Sequence, residues 1–304
     1  MSDPAFLHDR REARVVYAAT LFALVLWAGT PIANKIAVGQ IDPATAGLLR
    51  SAIAGVLCAL LARALKLPFP KKRSQRALLL TSGFASFAAW PALLSAGLGL
   101  TTANHAALLI ATIPVFTGLI AAAVDRSRPG GAWLLGVAIA LGGTFVLIGV
   151  RGGSASPVDG SVVGDLVIFV GVIACAGGYV AGGKLAPAIG TFATTFWSLG
   201  ITSIALVPVI LWRWPRTDWV AVGLGSWSAI GYMAICSSLL GYLAWFWALG
   251  RGGIARVSAW QLGQPVLTVV LAALLLGERL TTSLVMAGVA VLGGTALTQI
   301  RARR

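Results

Sequence analysis

Residues 102–124 read TANHAALLIATIPVFTGLIAAAV, a run with no lysine, arginine, aspartate or glutamate. Wound as a helix at 1.5 Å per residue, it is about 35 Å long, enough to cross a hydrocarbon core of about 30 Å. A strand of a membrane barrel would be half as long and would alternate polar with apolar residues, which this run does not. Comparable runs lie near residues 15–38, 43–65, 76–98, 132–150, 162–186, 191–212, 219–250, 254–276 and 281–300. Together they predict ten spanning helices and an all-α polytopic membrane protein. Asp42-Pro43 supplies a cap and a first-turn proline for the second span, and Thr101-Thr102 and Thr281-Thr282 stand where caps belong.

Composition agrees. Of 304 residues 58% are hydrophobic and 11% charged, with a mean hydropathy of +0.89. A soluble domain carries about a quarter charged residues, and the same figures exclude disorder, a disulfide scaffold and a collagen-like fibre. The net charge of +14 does not indicate nucleic acid, because no soluble stretch is long enough to build a basic face. Basic residues flanking apolar spans instead orient a chain in a bilayer. With the N-terminus cytoplasmic, the inside segments hold sixteen basic residues, and the outside segments hold only Arg151, Arg213, Arg216 and Arg279. The expectation is N-in/C-in. Cys58, Cys175 and Cys236 all fall inside apolar spans and read as small core residues, with neither metal-ligand nor disulfide spacing. The leading residues mix acidic and basic side chains and precede a full span, unlike a cleaved signal peptide.

The run at 102–124 also has a partner. Shifted by 151 residues, Pro114-Val115-Phe116-Thr117 lies over Pro265-Val266-Leu267-Thr268, and Leu141-Gly142-Gly143-Thr144 over Leu292-Gly293-Gly294-Thr295. Lys35-Ile36-Ala37 matches Lys184-Leu185-Ala186 with a two-residue slip. The organisation expected is a cytoplasmic tail at 1–14, a five-helix repeat at 15–150, an extracytoplasmic connector at 151–161, a second repeat at 162–300 and a tail at 301–304. Because five is odd, the second repeat enters the membrane inverted, the plan by which many secondary transporters bind cargo at the midplane and expose it to each side in turn. A duplicated bundle without transport is the plainer alternative.

Two five-helix halves, the helix-four proline, Gly277-Glu278-Arg279 before the Gly293-Gly294 helix, Trp27 and Arg50 resemble the EamA branch of the drug/metabolite transporter superfamily. Within it the chain looks most like the YddG-type exporters of aromatic and other amino acids. The resemblance implies a carrier of the bacterial inner membrane. The first half departs from the pattern, since Ser127 stands where Glu278 would be duplicated.

Polar residues within spans mark candidate function because they are costly there. All nine acidic residues fall in tails, loops or helix ends. A coupling carboxylate in mid-span is therefore not expected, and facilitated transport is. His105 can titrate near neutrality, but an interfacial histidine is more often simply solvated. Lys35 and Lys184 sit near helix ends, where snorkelling is the preferred reading. Arg50 lies about 10 Å inside its span and needs an acceptor such as a helix C-terminal carbonyl; a structural anchor is the preferred reading, with a clamp for a substrate carboxylate the alternative.

Uncharged residues make the better cavity candidates. Trp27, Thr30 and Asn34 form one stripe of the first helix, and Gln261, Gln264 and Thr268 form another on the ninth. Pro114 and Pro265 should kink their helices, the latter freeing the Gln261 carbonyl. Ser86 and Trp90, beside Pro91, line the third helix, and Tyr232, Ser237 and Ser238 the eighth. Aromatic walls with hydroxyls and amides suit a small zwitterion with an apolar side chain. Trp133, Trp197, Trp212, Trp214, Trp219, Trp245 and Trp247 read as an interfacial belt. Gly178-xxx-Gly182 and Gly136-xxx-Ala140 read as close helix crossings.

The function expected is export of amino acids or related small metabolites by alternating access. The alternatives are a same-fold carrier of nucleotide sugars or phosphorylated metabolites, and a membrane-embedded scaffold or channel subunit. Enzymatic chemistry is disfavoured because the span interiors hold no paired carboxylates, metal cluster or histidine base. No cofactor, metal or nucleic-acid partner is expected; the partners are a small molecule and the lipid bilayer, and a monomer suffices.

Overall fold

The computed structural model describes residues 10–149, 161–252 and 260–300, and every regular element among them is helical. The tail residues 1–9 and 301–304, the connector residues 151–160 and the start of the ninth expected span at 254–259 lie outside the described residues. The elements are α1 (Arg10–Ala28), α2 (Thr30–Ala37), α3 (Pro43–Ala64), α4 (Arg73–Gly83), α5 (Trp90–Leu98), α6 (Ala103–Ile110) and α7 (Ile113–Val124). They continue as α8 (Gly131–Gly149), α9 (Val162–Ile189), α10 (Thr191–Arg213), α11 (Leu224–Gly231), α12 (Gly241–Gly252), α13 (Gly263–Leu276) and α14 (Thr282–Ile300). Eight helical spans, from Glu12–Ala37 to Leu224–Trp245, are long and apolar enough to cross a membrane, and two further apolar helices, Trp260–Leu276 and Thr282–Thr298, are shorter. The first helix starts at Arg10, so the expected tail is partly helical. The eighth starts at Leu224, leaving Trp219 in the preceding loop, where its ring stacks on Trp214 at 4.0 Å.

Hydrogen bonds between helix ends sort the molecule into two sides. On the near side, where α1 begins, Trp197 Nε1 donates to the Leu67 carbonyl and Lys184 pairs with Asp125 at 2.7 Å. On the far side, Arg213 donates to Asp42 from Nη2 at 2.8 and 2.9 Å and from Nε at 3.0 Å, and the Ser161 amide donates to the Leu100 carbonyl. Asp42 is also the expected cap of α3, accepting from the Thr45 amide at 2.9 Å.

Prolines break the helices where the missing donor requires it. Pro31 cannot reach the Trp27 carbonyl, and α1 gives way to α2 at Gly29. Pro114 separates α6 from α7, and the Ala111 carbonyl at that break accepts from Thr295 at 3.3 Å. Pro265 likewise stands just past an interruption of its helix. It sits in the first turn of α13, where its missing donor would be unpaired anyway, and Gln261 lies in the short 3-10 turn Trp260–Leu262 before it.

Between α4 and α5 the backbone widens into a π-helical stretch, Phe84–Ala89, and between α11 and α12 into a second, Tyr232–Leu240. The 151-residue offset carries 84–89 onto 235–240, inside the second stretch. Both small-residue motifs are close crossings. A side chain at Gly178 would meet Ser86, one at Gly182 would meet Ser82, and one at Gly136 would meet the Gly294 carbonyl. The last motif joins α8 to α14, one helix from each half.

Candidate functional site

At mid-depth the two halves meet around α1. Trp27 Nε1 donates to the Ser237 carbonyl at 3.0 Å, and the Thr30 and Ser237 hydroxyls are 2.7 Å apart. The carbonyls at the α1/α2 break are served from the second half: Leu26 accepts from the Tyr232 hydroxyl at 2.8 Å, and Ala28 from Thr268 at 3.0 Å. The first-helix break is thus held open by side chains that provide the donors Pro31 and its neighbours do not.

Two adjoining cavities flank this junction. One, of about 80 Å³, is lined by Trp27, Thr30, Arg50, Trp90, Leu94, Ile110, Ile113, Tyr179, Ser237, Ser238, Tyr242, Gln261 and Gln264. The other, of about 300 Å³, shares Trp27, Tyr179, Tyr242 and Gln261 with it and passes Ser82, Ser86, Gly178 and Trp245 to Ala186 and Thr191 at the near-side helix ends. Of the residues singled out in the sequence, Trp27, Thr30, Ser86, Trp90, Ser237, Ser238, Gln261 and Gln264 therefore line these two adjoining cavities.

Two do not. Tyr232 is committed to Leu26, packed against Gly29. Asn34 is fully buried beyond the cavity, and neither its amide nitrogen nor its oxygen has a partner. Trp245, read as a belt residue, is buried, with its ring 5.2 Å from Trp27. It is a wall residue missed by reading depth from the helix end alone. Tyr242 was missed as well. Ser238, Tyr242 and Trp245 repeat at i, i+4 and i+7, the same stripe signal that found Trp27 and Thr30.

Charged residues depart most from expectation. Lys35 does not snorkel: its ammonium donates to the Leu98 and Thr101 carbonyls at 2.7 and 2.6 Å, closing the far-side end of α5. Lys184 pairs with Asp125, in an exposed site of little energetic weight. His105 is not left to solvent. Its Nδ1 is 2.8 Å from Asp165, a fully buried carboxylate that also accepts from Thr101 at 2.5 Å. Glu278 accepts from the Ala103 and Asn104 amides at 2.7 and 2.9 Å, at the N-terminus of α6, where a helix dipole favours an anion. None of these carboxylates lines either cavity. Arg50 does, 8% exposed, with only the Met233 sulfur at 3.5 Å from Nη1 and no partner for Nε.

The far side is thus laced by buried, charge-assisted bonds, and the near side by exposed pairs beside the larger cavity. Among the described residues no cluster of histidine, cysteine or carboxylate has the makings of a metal site.

The sequence profile of the EamA-like transporter family matches residues 15–149 and matches again over 162–300. An uncharacterized transporter of Bacillus subtilis, YdeK, is 29% identical over 88% of this chain and 91% of its own. YedA of Escherichia coli K12, an uncharacterized inner membrane transporter, is 27% identical over 86% of this chain and 83% of its own. A solved crystal structure superimposes with a TM-score of 0.59 over 92% of this chain and 98% of its own at 19% identity, a likeness of fold.

Proposed function

The chain belongs to the EamA-like transporter family, and on that premise we propose that it exports amino acids with aromatic or apolar side chains, and related small metabolites, by alternating access. We assign it to the inner membrane as a multi-pass protein, a placement supported by its likeness to YedA. The observation that carries the reading is the mid-depth cavity shared by both halves, which extends toward the near side while the far side is sealed. A one-sided cavity is one state of a carrier; rocking of inverted halves supplies the other. Two tandem matches to one family profile and two π-helical stretches at equivalent positions support such a pair of halves.

The walls suit the cargo. Trp27, Trp90 and Tyr242 offer aromatic faces, and Thr30, Ser237, Gln261 and Gln264 offer neutral hydrogen-bonding groups. Phosphorylated metabolites and nucleotide sugars fit less well, because Arg50 is the sole cation lining the described cavities while Lys35 and Lys184 are spent elsewhere. With no carboxylate in the walls, we propose facilitated movement without carboxylate-coupled protons.

The test is uptake of a labelled amino-acid panel into proteoliposomes, with and without a pH gradient. Saturable flux with counterflow, indifferent to the gradient, is the expected result. Flux that requires the gradient refutes the uncoupled reading and brings the His105–Asp165 pair forward. No flux for any amino acid overturns the substrate reading, and non-saturable flux without counterflow makes the protein a pore.

A further inference from the structure

Resting on the carrier reading above, we infer that the cavity selects its cargo through a carboxylate seated on Arg50 and that the cargo's amino group is dispensable. The substrate class is then small monocarboxylates with an apolar body, zwitterionic or not.

The argument begins with what a structural arginine looks like. An anchoring cation has its donors taken, as Lys35 does with two carbonyls at 2.7 and 2.6 Å. Arg50 offers five N–H donors, cannot shed its charge, and is held by one thioether sulfur, a weak acceptor, with its Nε unpartnered. A buried cation left in that state at membrane depth is costly, and an anion that enters the cavity removes the cost.

Among the described residues no carboxylate stands in the cavity to serve as that anion. Among the described residues Asp42 is engaged by Arg213, Asp125 by Lys184, Asp165 by His105, and Glu278 by the α6 amides. The other ionisable groups in this cavity wall, Tyr179 and Tyr242, are neutral in their ordinary state. A guanidinium matches a carboxylate with two parallel bonds, the strong geometry for this pair.

The same census decides the other end of the cargo. No carboxylate lines the cavity, so an ammonium meets neutral groups alone, the oxygens of Thr30, Ser237, Ser238, Gln261 and Gln264 and the phenols of Tyr179 and Tyr242. Those bonds carry charge on the donor alone, without the opposite charge and the two parallel bonds that the guanidinium offers a carboxylate. An amine lacking the carboxylate brings a second positive charge beside Arg50 and is excluded. An acid lacking the amine keeps the dominant contact.

Three ligands with one phenyl group separate these cases: L-phenylalanine, 3-phenylpropanoate and 2-phenylethylamine. Each is titrated into the purified full chain, following tryptophan fluorescence and the unfolding temperature, and each is then tested as a counterflow substrate in proteoliposomes. Both acids should bind with similar affinity and the amine at least about tenfold more weakly, the scale set by charge-assisted hydrogen bonds. Arg50→Gln should weaken both acids by about tenfold or more, with Arg50→Lys falling between. Equal binding of the amine, or full acid affinity in a folded Arg50→Gln protein, overturns the inference. Should Arg50→Gln fail to fold, the three-ligand comparison on the unaltered protein still decides it. Carboxylate-selective binding without counterflow would uphold the recognition and overturn the carrier; saturable counterflow of the amine would do the reverse.

Discussion

At the scale of the residue, the α1/α2 break is tightly constrained. A methyl group on Gly29 would collide with the Tyr232 hydroxyl, which is itself bonded to Leu26. Gly29→Ala should cost about 1–3 kcal/mol by overpacking. Tyr232→Phe should cost about 1 kcal/mol for the lost hydrogen bond. The double substitution should be more stable than the sum of the two, because removing the hydroxyl makes room for the methyl. Thermal unfolding of the four proteins in one detergent gives the coupling, and strict additivity would mean that the two sites do not touch as described. Cavity residues should behave differently. Gln261→Ala and Gln264→Ala should slow proteoliposome flux while leaving the unfolding temperature nearly unchanged, since neither amide holds helices together. Trp27→Ala should impair both, because its indole bonds Ser237 and packs 5.4 Å from Tyr242.

At the scale of the element, the far-side ends of α2, α5, α6 and α13 meet through two charged side chains, Lys35 on the end of α5 and Glu278 on the start of α6. On the proposed mechanism these contacts must part when the far side opens. Beneath them lie Asn34, Ser95 and Asn104, buried polar groups with unpartnered atoms. Each such atom costs about 1–3 kcal/mol in a permanently dry site, and the cost is relieved in a conformation that admits water. Asn34 continues the Trp27–Thr30 stripe past the cavity, so that stripe marks the proposed exit path. Glu278→Gln retains an acceptor but loses the charge, weakening the seal by about 1 kcal/mol and favouring the opened form about fivefold. The measurement is the rate of far-side labelling of an Asn34→Cys protein by a membrane-impermeant thiol reagent. An unchanged rate in the Glu278→Gln background would show that Glu278 is no part of the seal.

At the scale of the whole molecule, Arg213 and Asp42 clasp α10 to the start of α3 across the two halves. Burial acts to raise the Asp42 carboxyl, but its bonds from Thr45 and the Arg213 guanidinium outweigh that and hold it below the usual carboxylate range. A carboxyl depressed in the folded state contributes stability above its unfolded pKa and loses it as the pH falls through the folded value. The clasp should therefore be intact throughout the neutral range and fail only in strong acid. Arg213→Ala should lower the unfolding temperature at pH 7, and that deficit should shrink below about pH 4; a deficit independent of pH would assign it to packing. What the sequence alone determined follows from the bilayer, which acts as a one-dimensional ruler. Uncharged runs such as 102–124 must be helices of spanning length, and a 151-residue period duplicates whatever they build. Stripes at helical spacing disclosed most of the cavity wall for the same reason, since one face of a helix must look inward. Which stripes face one another depends on the rotation and break of each helix, and no linear pattern encodes that. So Tyr242 and Trp245 emerged as walls, Asn34 and Tyr232 left the cavity, Lys35 became a helix cap and His105 found Asp165 only once the helices were packed. Arg50 shows the division most clearly. Its charge in a span was legible as a cost, but that nothing in the described protein neutralises it is a fact about the space around it, and only the tertiary structure decides that.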